Sequence, residues 1–151
     1  MSRAQIDRAA AAHMRAVMQA GSVSPQTKEL CALMVSWLNA CDACVSAHDR
    51  YARSLGISQA QLDALFDYGR SPEFDEPTRA ALAAAVALTR EPRALPPAVS
   101  QGLERHYDPE QIYEIVSAIG LYNGITRVGN ATRGGVAPVP CAPSAQLQRF
   151  P

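Results

Sequence analysis

The chain has 151 residues, fourteen acidic and fourteen basic, with a hydrophobic share of 48%, enough for one domain with a core and too few to favour two. Balanced charge argues against the basic footprint that nucleic acid or an anionic membrane demands, and no apolar run approaches the roughly 20 residues that span a bilayer. At the amino terminus Arg3, Asp7, Arg8 and Arg15 are spaced through alanines without the apolar stretch of a secretion signal, so the expected location is the cytoplasm.

The first predicted element runs from Ala4 to Ala20, with Ile6, Ala10, His13, Met14, Val17 and Met18 at helical spacing and Gly21 closing it. Ser24-Pro25 starts the next helix as N-cap and first helical residue. Leu30, Leu33, Met34, Trp37 and Leu38 follow at i, i+3, i+4, i+7 and i+8, and with Cys31 and Val35 also apolar this helix should be buried on most sides. After a break at Asn39-Ala40, a third helix is expected from about Cys41 to Leu55, capped by Gly56, with Cys44, His48, Tyr51 and Leu55 facing inward.

Ser58 and Gln61 have the spacing of a capping box, with Ile57 placed to staple onto Leu62, which predicts a short helix to about Tyr68. A loop over 69–77 leads to an alanine-rich helix ending near Arg90. Pro92, Pro96 and Pro97 then punctuate the path to a further helix through Arg105. Asp108-Pro109-Glu110-Gln111 repeats the capping logic and opens a long helix to about Ala131, whose core face is Ile112, Ile115, Val116 and Ile119. Gly120 and Gly124 lie within it, each at a cost of about 1 kcal/mol in helix propensity, and suit the close approach of another backbone. No period-2 strand pattern intervenes. The expectation is an all-α single-domain bundle of about seven helices over residues 1–135, followed by an extended arm over 136–151 that carries Pro138, Pro140, Pro143 and Pro151.

The chemistry concentrates at Cys41-Asp42-Ala43-Cys44 with His48 one turn on. Four cysteines, Cys31, Cys41, Cys44 and Cys141, are too few and too unevenly placed for a disulfide framework. A C-x-x-C in a reducing compartment is more often catalytic or metal-binding. Residues three and four apart share a helix face, so a thiol, its disulfide partner and a base would form one patch. The attacking species is the thiolate, whose pKa drops from about 8.5 to roughly 3.5–7.5 at helix N-termini or beside a cationic histidine. Spacing alone leaves open which cysteine attacks. If it is Cys44, peroxide cleavage gives a sulfenic acid there, Cys41 condenses with it, and an external dithiol reduces the resulting disulfide. The rival reading is zinc, held by Cys41, Cys44 and His48 with Cys31 or Glu29 as a fourth ligand. Structural zinc sites normally draw on a second close-spaced pair, and none is present.

The run ELCALMVSWLNACDACVSAH, Glu29 through His48, resembles the alkylhydroperoxidase D-like branch of the carboxymuconolactone decarboxylase family, whose motif is a glutamate followed by Asn-x-Cys-x-x-Cys-x-x-x-His. Asn39 is in place, and the segment IGLYNGITRVGNATRG from Ile119 is similar to the family's last helix. The resemblance extends from about Ser24 to Gly135. It implies an all-helical homo-oligomer, trimeric or hexameric, with Cys44 as peroxidatic cysteine, Cys41 as proton donor and resolving thiol, His48 as relay base and Glu29 as its orienting carboxylate. Without the resemblance, Glu29 reads as a solvated or capping residue. Ala43 stands where characterised peroxidases of the family carry a second relay histidine.

The function expected on this basis is a thiol-dependent hydroperoxidase or disulfide reductase that needs no bound cofactor and no metal. Its partners would be an organic hydroperoxide or disulfide and a dithiol reductant: a lipoyl group, a small redox protein, or a peroxiredoxin. The alternatives are a carboxymuconolactone decarboxylase-like lyase using Arg127 or Arg133, which retention of both cysteines argues against, and a non-enzymatic redox-sensing helical oligomer.

Overall fold

A computed structural model describes residues 2–19, 21–91 and 93–132, which form seven α-helices and no strand. These are α1 (Arg3–Gln19), α2 (Pro25–Leu38), α3 (Asp42–Ser54), α4 (Gln59–Asp63), α5 (Glu76–Arg90), α6 (Pro97–Glu104) and α7 (Pro109–Thr132), with a 3-10 turn at Leu65–Asp67. The fold is all-α, as its periodicity predicts. The arm expected over 136–151, with Cys141, and also Arg133, lie outside the described residues.

Helix α2 is the axis of the bundle. Ser24 accepts from the Thr27 amide at 3.0 Å and Pro25 occupies the first turn, so the start read from the sequence is the one observed. Ten consecutive residues, Thr27 to Ser36, are buried, because α3, α5 and α7 pack around it. Leu30, Met34, Leu82, Leu103, Ile115 and Ile119 make up much of the core that results.

Two of the buried residues on α2 are charged, Lys28 and Glu29, and a charge in such a place needs a partner. Lys28 Nζ lies 2.5 Å from Glu114 Oε1 on α7 and also donates to the Val17 carbonyl of α1. The other Glu114 oxygen accepts from the Ser22 and Val23 amides. One carboxylate thus ties α7 to α2 and to the link between α1 and α2. That link turns at Gly21, where φ is +86° and a Cβ would overlap the Glu114 carboxylate.

The capping boxes occur where the sequence places them. Ser58 and Gln61 cap each other, and Asp108 and Gln111 do likewise, with Gln111 donating to Asp108 Oδ1 at 2.8 Å and Asp108 donating back at 3.0 Å.

Three expectations need correction, and the first helix is little buried. The helix expected to reach Tyr68 stops at Asp63; an Asp67-to-Ala64 bond tightens the next turn to 3-10 and directs Leu65 into the core. Helix α1 has an apolar stripe but no buried residue, and Ile6 is 50% exposed; it lies against α2 and α7 at one side of the bundle. Gly120 and Gly124 meet no neighbouring backbone, since nothing lies within 4 Å of a Cβ built at either. They point away from the packed side of α7, formed by Ile115, Ala118, Ile119, Tyr122, Asn123 and Thr126. On α3 the fully buried residue is Ala52 rather than Tyr51, because adjacent residues are about 100° apart around a helix and the small side chain takes the tight position.

Replacing Glu114 by alanine would leave the Lys28 ammonium enclosed without its carboxylate, and urea unfolding should show a loss of about 3–5 kcal/mol. An unchanged midpoint would mean that the pair does not hold α7 in place.

Candidate active site

Three elements converge on the cysteines. The first is the turn between α2 and α3. Asn39 ends α2, and Ala40 takes a left-handed φ of 51°, uncommon for a residue with a Cβ and sustained only where the surroundings hold it. Those surroundings are α7 and α5. Asn39 Nδ2 donates to Asn123 Oδ1 (3.0 Å) and Thr126 Oγ1 (2.9 Å), and Asn130 Nδ2 donates to the Asn39 carbonyl (2.7 Å). Asn123 in turn donates to Thr89 Oγ1 of α5 at 3.0 Å.

The turn places Cys41 at the N-cap of α3, with its amide donating to the Ser36 carbonyl at 3.0 Å. Cys44 follows in the first turn of α3, where exposed amides and the helix dipole favour negative charge. The two cysteines are joined as a disulfide, with Cα atoms 5.2 Å apart.

The second element is the acid–base pair. Glu29 is fully buried on α2, and its Oε1 lies 2.6 Å from His48 Nδ1 on α3. The solvated or capping role that Glu29 suggests in isolation is therefore ruled out by its position. An ionised carboxylate accepts from Nδ1–H, which leaves Nε2 of the imidazole to take up a proton. Glu29 Oε2 is enclosed and has no hydrogen-bond partner among the described residues.

The third element is a cavity of about 490 Å³ whose walls include Cys44, His48, Tyr51, Tyr122, Met14 and Met18. Its lining is largely apolar, and α1 supplies the two methionines. Cys41 is fully buried and is not part of this wall, whereas Cys44 retains 8% exposure. The cysteines are thus distinguished by access, which their spacing left open. Tyr122 packs edge-on against His48, with ring centroids 4.6 Å apart, and burial, then the nearby Glu29 and Tyr51, push its phenol pKa upward.

Among the described residues, no group of three His, Cys, Asp or Glu side chains is arranged to hold a metal ion, so the ligand set proposed for zinc is not assembled. No described helix is long and apolar enough to cross a membrane. Cys31 is a separate case: buried on α2, unpaired, its thiol pKa pushed up to about 12 by desolvation. Arg127 is exposed and is not among the residues lining the cavity.

Sequence reasoning missed Asn123, Thr126, Asn130 and Tyr122. The first three carried a signal, since amides and a hydroxyl at i, i+3 and i+7 on an otherwise apolar helix mark one polar line. Tyr122 resembles an ordinary core aromatic until the fold sets it against His48.

Residues 4–87 match the carboxymuconolactone decarboxylase family. The chain belongs to that family. Within it, structural neighbours place the protein in the AhpD-like branch. A protein of unknown function from Agrobacterium tumefaciens, named as a candidate AhpD antioxidant defence protein, is 26% identical and superposes with a TM-score of 0.80 over 88% of this chain and 91% of its own. An uncharacterized peroxidase-related protein from Ralstonia eutropha, described as an AhpD core, shares the fold at 22% identity and a TM-score of 0.76, over 85% of this chain and 69% of its own. The debrominase Bmp8 shares it at 23% and 0.78, over 96% of this chain and 76% of its own. Among curated proteins, the uncharacterized YdfG of Bacillus subtilis is 27% identical over 73% of this chain and 76% of its own length. The uncharacterized YnjA of Escherichia coli is 27% identical over 72% of this chain, a match spanning 60% of YnjA.

The Cys31 thiol, ordinarily ionising near 9.0, stays protonated in the fold until about pH 12. Its contribution to stability is therefore complete below pH 9 and declines as the pH rises towards 12, where the unfolded chain holds fewer protons than the folded one. Chemical denaturation between pH 8 and pH 11 should show this decline, and Cys31→Ala should make it shallower. An identical slope in the two proteins would remove Cys31 as a source.

Proposed function

We propose that the protein is a thiol-dependent peroxidase acting on organic hydroperoxides, with Cys44 as the attacking thiol and Cys41 as the resolving one. The observation that carries this reading is the asymmetry of the pair: Cys44 opens onto the cavity that His48 also lines, while Cys41 is sealed behind it at disulfide distance. In the reduced enzyme His48 takes the Cys44 proton, with its ring oriented by Glu29 through Nδ1. The thiolate attacks the terminal peroxide oxygen; the S–O bond forms as O–O breaks, and the alcohol departs. Cys41 then displaces water from the Cys44 sulfenic acid to give the disulfide.

An external dithiol restores the thiols by exchange. A lipoyl group, a small redox protein or a peroxiredoxin partner would serve, in a reducing compartment such as the cytoplasm. The apolar walls of the cavity suit a hydroperoxide with a hydrocarbon body. The lyase alternative as read from the sequence names Arg127, which is not among the residues lining this cavity, although Arg15 of α1 is.

One equivalent of cumene hydroperoxide added to reduced protein should lower the mass by two hydrogens, located by peptide mapping to Cys41 and Cys44. His48→Gln should slow the reaction about 100-fold. An unchanged mass would contradict the peroxidase assignment, and an undiminished rate in the variant would remove His48 from the relay.

A further inference from the structure

The geometry points to Tyr122 as the catalytic acid that protonates the leaving oxygen of the hydroperoxide, an inference that rests on the peroxidase reading above. Breaking the O–O bond puts an electron pair on an alkoxide, a poor leaving group unless a proton meets it. Ala43 leaves no second histidine beside Cys44, and the sealed sulfur of Cys41 does not face the cavity in which the alkoxide forms. The remaining candidates lie in the cavity wall, the His48 imidazolium and the tyrosines, and on this inference the proton reaches the alkoxide through Tyr122.

Tyr122 lies in that wall and against the imidazole that receives the Cys44 proton. Tyr122 is 5% exposed and is one of the residues that form the cavity wall. Tyr51 shares the wall but is 47% exposed, so water competes for its hydroxyl. Burial and the Glu29 carboxylate keep the Tyr122 phenol protonated at rest, so it is available as a donor.

The proton count closes without a further reagent. The Cys44 proton passes to His48, and the thiolate takes the terminal oxygen of R–O–OH while the electron pair departs on RO⁻. Tyr122 O–H protonates RO⁻ to ROH, and the imidazolium returns a proton to the phenolate. Thiol and hydroperoxide thus become sulfenic acid and alcohol.

The test is Tyr122→Phe, which keeps the ring against His48 and removes only the hydroxyl. It is assayed in single turnover with cumene hydroperoxide and with peracetic acid, whose acetate leaving group needs no proton. The expected result is a loss of about 100-fold with cumene hydroperoxide, with the parent rate kept on peracetic acid. Equal losses on both oxidants would make Tyr122 a structural residue and overturn the inference, as would no loss on cumene hydroperoxide, including the case in which Tyr51→Phe carries the loss instead. If the parent reacts with peracetic acid but not with cumene hydroperoxide, the peroxidase reading itself fails and this inference with it.

Discussion

A carboxylate enclosed in the middle of a helix is stable only where something compensates it, and at Glu29 that compensation is the His48 imidazole 2.6 Å away. The pairing also has a structural consequence. It joins α2 to α3 and sets the rotation of α3, turning Ala52 to the core and Cys44 to the cavity. Lys28, the residue before Glu29, makes the corresponding link to α7 through Glu114. Adjacent opposite charges on the buried axis of the bundle therefore each recruit a different neighbouring helix, and the cavity lies where α1, α3 and α7 meet beside that axis.

The cysteines show how far environment outweighs residue type. Cys31 is enclosed by apolar neighbours and holds its proton to about pH 12, as an inert core side chain would. Cys41 is equally buried but sits at a helix N-cap, with its sulfur joined to Cys44. Cys44 has the same helix end and an opening onto a cavity. Of the three, it alone combines access to the cavity, an imidazole in the same wall and a partner cysteine, and the attacking role proposed for it rests on that combination.

Much of this was legible from local chemistry. Ser24-Pro25, Ser58 with Gln61, and Asp108 with Gln111 announce their helix starts because capping is decided within four residues. The line from Cys41 to His48 follows from helical spacing alone, and Glu29 enters through family resemblance. What could not be read depended on contacts distant in sequence. The Asn39 network joins residues 84 and 87 positions apart, and the pairing of Lys28 with Glu114 spans 86. Gly120 and Gly124 suggested a packed face because a glycine's propensity cost implies some compensation, yet they face away from the packed side of α7. Tyr51 and Ala52 exchanged places because periodicity gives a face to within one residue, while the core selects by volume.

The division of labour between the cysteines is tested most directly by trapping the sulfenic acid. With Cys41→Ser, one equivalent of cumene hydroperoxide followed by dimedone should leave a stable adduct, mapped by peptide mass spectrometry to Cys44. The converse variant, Cys44→Ser, should leave Cys41 unmodified. An adduct on Cys41 in the second variant, with none on Cys44 in the first, would show that the enclosed cysteine is the one that attacks and would contradict the assignment.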